Sequence, residues 1–282
     1  MDNQAQSLSR MVAHDRRIVT ITSGKGGVGK SNFVANIALA LRAEGKTVCI
    51  FDADLSLGNV DVLYGIRPRY NLMHFLRNER SFEEILIKGP EEIAIVPAAS
   101  GVQEMSDISE NDHNRLSYHL SLLEQNYDFL LIDTGSGMSD NVMSFIYAGD
   151  ETVIITTPDP TAMTDAYAML KVITQRSPDT SIKLVVNMVN GKKDAVDVAE
   201  KLNLVSTKFL KCGVTYFGYV LFDERLKQAV REQVPVFIRY PQSMSANCFR
   251  QIAKDLIKRK PQIVDDGQSF FVKALQFLGV KK

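Results

Sequence analysis

Cysteine is scarce: the 282 residues hold three, Cys49, Cys212 and Cys248. With no Cys-x-x-Cys pair and no Cys/His cluster, they argue against a disulfide framework, a structural zinc site and a four-cysteine iron–sulfur cluster within one chain. They read instead as buried or surface thiols of a reducing compartment. An excess of one charge is missing too, because Lys+Arg and Asp+Glu number 33 each. The surface as a whole is therefore not built to grip nucleic acid, and no specific nucleic-acid partner is expected. No apolar run reaches the roughly 20 residues that cross a bilayer. The polar stretch 1–17 lacks the apolar core of a signal peptide. The expectation is a cytoplasmic protein with at most a peripheral membrane contact.

What is present is 45% hydrophobic residues, enough for a sizeable core. Short β-branched runs predict strands at 18–22, 47–51, 93–96, 129–132, 152–156, 183–187 and 215–220. Helical patterns fall between them, at 29–43, 110–125, 140–148, 161–175, 194–209 and 224–232. This alternation predicts an α/β fold, a mostly parallel central sheet with helices on both faces. The unbroken apolar runs Phe129-Leu130-Leu131-Ile132 and Val153-Ile154-Ile155 suit strands buried on both sides. Such sheets bind ligands at the carboxyl ends of their strands. Three parts are expected: a polar arm (1–15), one nucleotide-binding domain (16–260) and a tail (261–282).

The first strand runs straight into Gly24-Lys25-Gly26-Gly27-Val28-Gly29-Lys30-Ser31. This fits the pattern GxxxxGK[ST], a loop whose glycines let backbone N–H groups converge on phosphate oxygens. The helix that follows adds its positive end. The predicted contacts to ATP or ADP run from Gly24 through Asn32. Lys30 reaches the β- and γ-phosphates, and the Ser31 hydroxyl ligates Mg²⁺. Phe51-Asp52-Ala53-Asp54 closes the second strand and puts two carboxylates, two residues apart, at the same edge. One can orient Mg²⁺-bound water while the other contacts the attacking water. The alternative is a pair of solvated loop acids. Leu130-Leu131-Ile132-Asp133 is an apolar strand capped by an acid, which makes Asp133 a holder of the Mg²⁺ shell. Gly135 and Gly137 leave the next loop free to sense a γ-phosphate.

A lysine directly after the first glycine, in the form Lys25-Gly26-Gly27-Val28-Gly29-Lys30, resembles the deviant Walker A motif of the MinD/ParA class of ATPases. The resemblance covers nearly the whole chain. It implies an ATP-dependent homodimer in which Lys25 reaches the partner's nucleotide and hydrolysis releases the pair. It also implies that Asp54 positions the attacking water with Asp52 in support, and that 55–61 is a first switch segment. An asparagine ending a strand contacts adenine in this class, which points to Asn187 unless it merely caps that strand. Phe222-Asp223-Glu224 stands where the class has a proline turn beside the base. That turn supplies backbone contacts to the base, so Phe222 and Asp223 are candidate base contacts, with Asp223 alternatively a helix N-cap.

The arm carries Asn3-Gln4-Ala5-Gln6-Ser7-Leu8-Ser9-Arg10, similar to the DQAxxLR signature of the FlhG (FleN, YlxH) group within that class. Segments 54–63, 96–101 and 164–168 resemble the same group. The resemblance implies that the arm, through Gln4 and Leu8, binds the signal-recognition-particle-type GTPase FlhF and stimulates it. Flagellar switch or C-ring proteins and a flagellar transcription regulator are further implied partners. The tail places Phe270, Phe271, Leu275, Phe277 and Leu278 on one helical arc, with three lysines and no acid over 268–282. That composition predicts an amphipathic helix on an anionic membrane, the inner face of the cell membrane for such a protein. Docking of the same arc on the protein's own body is the other possibility. Two rival roles remain at this point: a MinD-type division-site regulator, and a ParA-type DNA-partitioning ATPase using the cluster Lys254, Lys258, Arg259 and Lys260.

Overall fold

The computed structural model describes residues 16–54, 60–97, 110–149, 151–178, 180–259 and 268–277. Eight strands form one sheet in the order β3-β4-β2-β5-β1-β6-β7-β8. They are β1 (Arg17–Ser23), β2 (Val48–Ala53), β3 (Ile87–Lys88), β4 (Ala94–Val96), β5 (Phe129–Ser136), β6 (Glu151–Thr156), β7 (Ser181–Val189) and β8 (Thr215–Leu221). All neighbours pair in parallel except β3, which runs antiparallel to β4 at the edge. Each of the seven strands expected from sequence is there. The two-residue β3 is too short to leave a periodic signal.

The helices are α1 (Lys30–Ala43), the short α2 (Val60–Leu63), α3 (Leu72–Leu76) and α4 (Phe82–Ile85), then α5 (Glu110–Asn126), α6 (Asp140–Ala148), α7 (Pro160–Arg176) and α8 (Lys192–Leu210). After them come α9 (Glu224–Arg231), α10 (Val236–Arg239), α11 (Met244–Lys258) and α12 (Phe270–Phe277). Side chains alternate along the strands between two apolar layers. Phe129 and Leu131 pack with α1 and α11 on one face, whereas Leu130 and Ile132 pack with α5, α6 and α12 on the other. Farther along, Ile154 and Leu184 meet α7 and α8. Burial on both faces is why these strands read as continuous apolar runs.

The sequence reading missed α11. Its core face, Ala246, Phe249, Ile252, Ala253 and Leu256, is buried, and the Ser243 hydroxyl caps it by accepting from the Ala246 N–H at 3.2 Å. This helix changes the meaning of the basic cluster near its end. Lys254 pairs with Glu44 at 3.7 Å, and Arg259 lies over the Phe217 ring at 5.5 Å.

At the edge where the strands begin, opposite the glycine loop, Arg17 and Lys183 both pair with Glu151, and all three side chains are buried. Such a triad fixes geometry more than it adds stability.

The tail helix is folded onto the body. Phe270, Phe271, Ala274 and Leu275 are buried against α5 and α6. The Phe271 ring meets Phe51 edge-on at 5.0 Å. Its first turn is capped from another helix: the Glu124 carboxylate, in the last turn of α5, accepts from Ser269 Oγ (2.6 Å) and from the N–H groups of Phe270 (3.3 Å) and Phe271 (3.0 Å). An anion at a helix N-terminus is favourable on both hydrogen-bonding and dipole grounds. Of the residues expected to meet a membrane, Phe270, Phe271 and Leu275 are thus packed on the protein in this state. Phe277 is 55% exposed, and Leu278 lies outside the described residues.

Candidate functional site

The carboxyl ends of β1, β2, β5, β7 and β8 converge on an open cleft of about 720 Å³. Its floor is the loop between β1 and α1. Gly24 is there because a Cβ would sit 2.5 Å from the backbone carbonyl of Asp165 in α7. Gly29 has φ +87°, the left-handed region that L side chains avoid, and a Cβ there would also strike the Asn187 amide. The chain thereby turns sharply into α1, and the N–H groups of its first turn face the cleft.

Lys30 lies buried behind this loop, its Nζ 2.6 Å from Asp133 Oδ1 and 3.4 Å from Ser31 Oγ. To reach a phosphate, the ammonium must exchange one anionic partner for another. Asp52 and Asp133 are register partners on adjacent strands, and both side chains are buried. Burial, reinforced by the neighbouring Asp133 charge, pushes the Asp52 carboxyl up to about 8. Burial also raises Asp133, against the pull of Lys30. The second Asp133 oxygen, Oδ2, is buried without a hydrogen-bond partner. An oxygen-only set of Ser31 hydroxyl and Asp52 and Asp133 carboxylates beside a phosphate-sized cradle suits a hard cation such as Mg²⁺. The residues fit a Mg²⁺–nucleotide.

Asp54 directly follows β2, half-buried on the cleft wall, with its N–H donating to Asp52 Oδ1 at 3.1 Å. Gly135 faces it from β5, where a Cβ would stand 3.7 Å from Asp54 Oδ1. Of the expected first switch segment, 55–59 lie outside the described residues; Val60 and Asp61 begin α2.

Lys25 is half-exposed on the loop's outer side. Its Nζ donates to Thr161 Oγ1 and lies 3.5 Å from Asp159 Oδ1, both at the start of α7 of the same chain. The Thr161 hydroxyl, helped by the first N–H groups of α7, holds the Asp159 carboxyl down to about 2.

At the far end Asn187, Phe222 and Asp223 all line the cleft, and two of them also have roles in the fold. Both Asp223 oxygens serve the fold: Oδ1 caps α9 through the Arg225 N–H (3.0 Å), and Oδ2 accepts from Ser245 N (3.1 Å) and Oγ (2.8 Å). Its side chain is the helix cap, and Asp223 still lines the cleft. Asn187 donates to the Val28 carbonyl at 2.7 Å and accepts from the Met188 N–H at 2.9 Å. It therefore braces the phosphate loop from β7. Phe222 remains on the cleft wall, with Lys227 Nζ 4.1 Å from its ring centroid. The sequence reading missed Val62, Met188, Leu226 and Val230, which complete the apolar slot. Leu226 and Val230 carried a usable signal, since their i, i+4 spacing puts both on one face of α9.

Gln4 and Leu8 lie outside the described residues. Among those described, no helix is long and apolar enough to cross a membrane.

Known proteins resemble this chain over most of its length. The AAA domain family matches residues 16–186, and the family described as NUBPL iron-transfer P-loop NTPase matches 120–257. Antiactivator FleN of Pseudomonas aeruginosa is 36% identical over 241 residues, 86% of each chain. Flagellum site-determining protein YlxH of Helicobacter pylori is 31% identical and spans 99% of this chain and 100% of its own. The septum site-determining protein MinD of Pyrococcus horikoshii, solved with Mg-ADP, shares the fold with a TM-score of 0.69 at 24% identity, covering 88% and 100%. With the deviant loop at the ligand edge of a parallel sheet, the chain belongs to the MinD/ParA family of P-loop ATPases. Within that family it stands with FleN and YlxH, the FlhG group of flagellar regulators.

Proposed function

We propose that this ATPase is a dimerising, membrane-cycling switch that regulates flagellar number and placement and stimulates the FlhF GTPase through its N-terminal arm. The observation that carries the reading is the lysine at position 25: a second cation on the outer side of the phosphate loop, beside an open cleft. The flagellar assignment is supported by the likeness to YlxH, a flagellum site-determining protein, and to the antiactivator FleN.

In this reading the phosphate loop binds the triphosphate through its N–H groups and Lys30. Ser31, Asp133 and Asp52 would hold Mg²⁺, which would supply charge screening for the phosphates. Asp54 orients the attacking water from the cleft wall, and no protein nucleophile takes part. Lys25 leaves Asp159 and Thr161 for the partner's nucleotide, where it offsets charge that would otherwise repel across the two-fold axis. The apolar slot of Phe222, Leu226 and Val230 receives the base.

Light scattering tests the switch. The protein is expected to be monomeric without nucleotide and with ADP, and dimeric with ATP when Asp54 is replaced by Ala. One oligomeric state under all three conditions would sink the dimer model.

Membrane contact requires the tail to leave its groove, because the apolar face it would insert is occupied by the body. Glu124→Gln keeps the size of the cap and removes its charge, worth about 1 kcal/mol at a helix N-terminus. It is expected to raise vesicle partitioning and the amide exchange of 270–277 by about five-fold. Unchanged exchange there would show that the carboxylate does not hold the tail.

A further inference from the structure

Among the described residues β8 closes one end of the sheet, and only β7 pairs with it. An edge strand offers its outer backbone N–H and C=O groups to any chain that can lie along it. Proteins usually blunt such an edge with lysine, proline or a bulge, or they cover it. The strand Thr215-Tyr216-Phe217-Gly218-Tyr219-Val220-Leu221 contains no charge and no proline. Its register against β7 breaks after Leu184 and again after Val186, but the seven residues remain one strand.

Beside this edge runs an open groove of about 640 Å³ whose other wall is α11. Met244, Cys248, Gln251, Asp255 and Arg259 form a stripe along that wall. The stripe lies about 140° round the helix from the buried face of Ala246, Phe249, Ala253 and Leu256, so core packing does not explain it. The two walls run antiparallel. Asp223, just past β8, bonds Ser245 in the first turn of α11, and Phe217, near the start of β8, lies under Arg259 just past the last turn. Each wall is about 23 Å long, the reach of a seven-residue extended segment.

Charge marks both ends of the groove. Lys192, at the start of α8, lines it beside the end of β8, and Arg259 lines it beside the start. Both are exposed, and neither forms an ion pair among the described residues. At the lower end the excess of cations reaches the interior. Arg259 and the buried Lys183 both lie over the Phe217 ring, at 5.5 and 4.7 Å, while Lys183 shares Glu151 with Arg17. The acid on the lining, Asp255, is half-buried and accepts from Gln251 Nε2 at 3.1 Å. The Tyr216 hydroxyl, on the same lining, is buried without a hydrogen-bond partner among the described residues.

We propose that the groove between β8 and α11 takes an extended segment of a partner protein as a ninth strand, with an acidic residue at each end of that segment. Backbone pairing along β8 supplies affinity, and Lys192 and Arg259 choose the acids. Between them, β-branched or aromatic side chains of the segment pack on Tyr216, Tyr219 and Met244.

Fluorescence anisotropy with the nucleotide-free full chain and a labelled peptide, Glu-Thr-Val-Thr-Val-Thr-Glu, tests it. Saturable binding is expected, with amide exchange slowed at 215–221. Lys192→Glu/Arg259→Glu should weaken binding about ten-fold or more, whereas Lys192→Arg/Arg259→Lys should keep it. A lysine-flanked peptide should bind about ten-fold more weakly, and so should one of the two peptides N-methylated at alternate amides. ATP affinity should be unchanged in every variant, which shows that each is folded. Equal binding of both N-methylated peptides overturns strand addition, and equal binding by the charge-reversed variant overturns the role of the two cations. No binding of the acid-flanked peptide overturns the proposal. So does protection of 215–221 that grows with protein concentration alone, which would make this edge a contact between copies of the chain.

Discussion

Lys30→Ala is expected to abolish ATP binding, with affinity falling about 1,000-fold or more. Removing one partner of a buried, charge-assisted contact typically costs 2–5 kcal/mol, roughly 30- to 5,000-fold. This site stands at the upper end, because the side chain is buried beneath the loop. The variant loses a second thing. Lys30 is also the cation beside Asp133, so its removal takes the ammonium away from Asp133, which has the buried Asp52 carboxyl as its register neighbour. Their response is to hold protons, since burial already pushes both upward. The fold should therefore survive, which makes titration calorimetry with ATP interpretable alongside a normal circular-dichroism spectrum. Micromolar affinity retained by a folded Lys30→Ala protein would overturn the phosphate-site assignment.

Asp54→Ala should behave in the opposite way, binding ATP within a few-fold of wild type and turning it over about 100- to 1,000-fold more slowly. Asp54 stands beyond the phosphate cradle on the cleft wall, and its backbone is fixed by the N–H contact to Asp52. Losing its carboxylate leaves the binding contacts intact and removes a group that orients the attacking water, an effect usually of order 10²–10⁴ in rate. Because ATP persists, the dimer should persist with it. Single-turnover measurement of phosphate release separates the two effects. Wild-type turnover in this variant would reassign Asp54 to structure and move attention to the segment after it.

The sheet and the phosphate loop were legible because their signals are local. A strand buried on both faces must be apolar throughout, as 129–132 is, and a backbone cradle must be glycine at the tight positions, as Gly24 is. Asp52 and Asp133 were legible for the same reason, each being an acid at the end of such a strand. Other features depended on partners remote in sequence. Nothing around Asp223 announces that Ser245, 22 residues on, will take up its second oxygen. Asn187 is bound to a carbonyl 159 residues away. The tail's amphipathic arc was plain, but the groove that accepts it is assembled from α5, α6 and the underside of the sheet, and Glu124 is an ordinary surface-type residue until the tail is set beside it. The helix α11 carries its cap and apolar spacing in the sequence, but the lysines and arginine at its end are an equally plain charge signal.

The buried grouping of Arg17, Glu151 and Lys183 bears on how such a molecule can move. It ties β1, β6 and β7 together where they begin, at the end of the sheet farthest from the nucleotide. Sliding any one of these strands along its neighbour would part a carboxylate from a guanidinium or an ammonium in a region water does not reach. The sheet then acts like the fixed block of a vice. Its far end cannot give, so in the proposed switch any difference between nucleotide states falls to the jaws, the end of the sheet where the cleft opens.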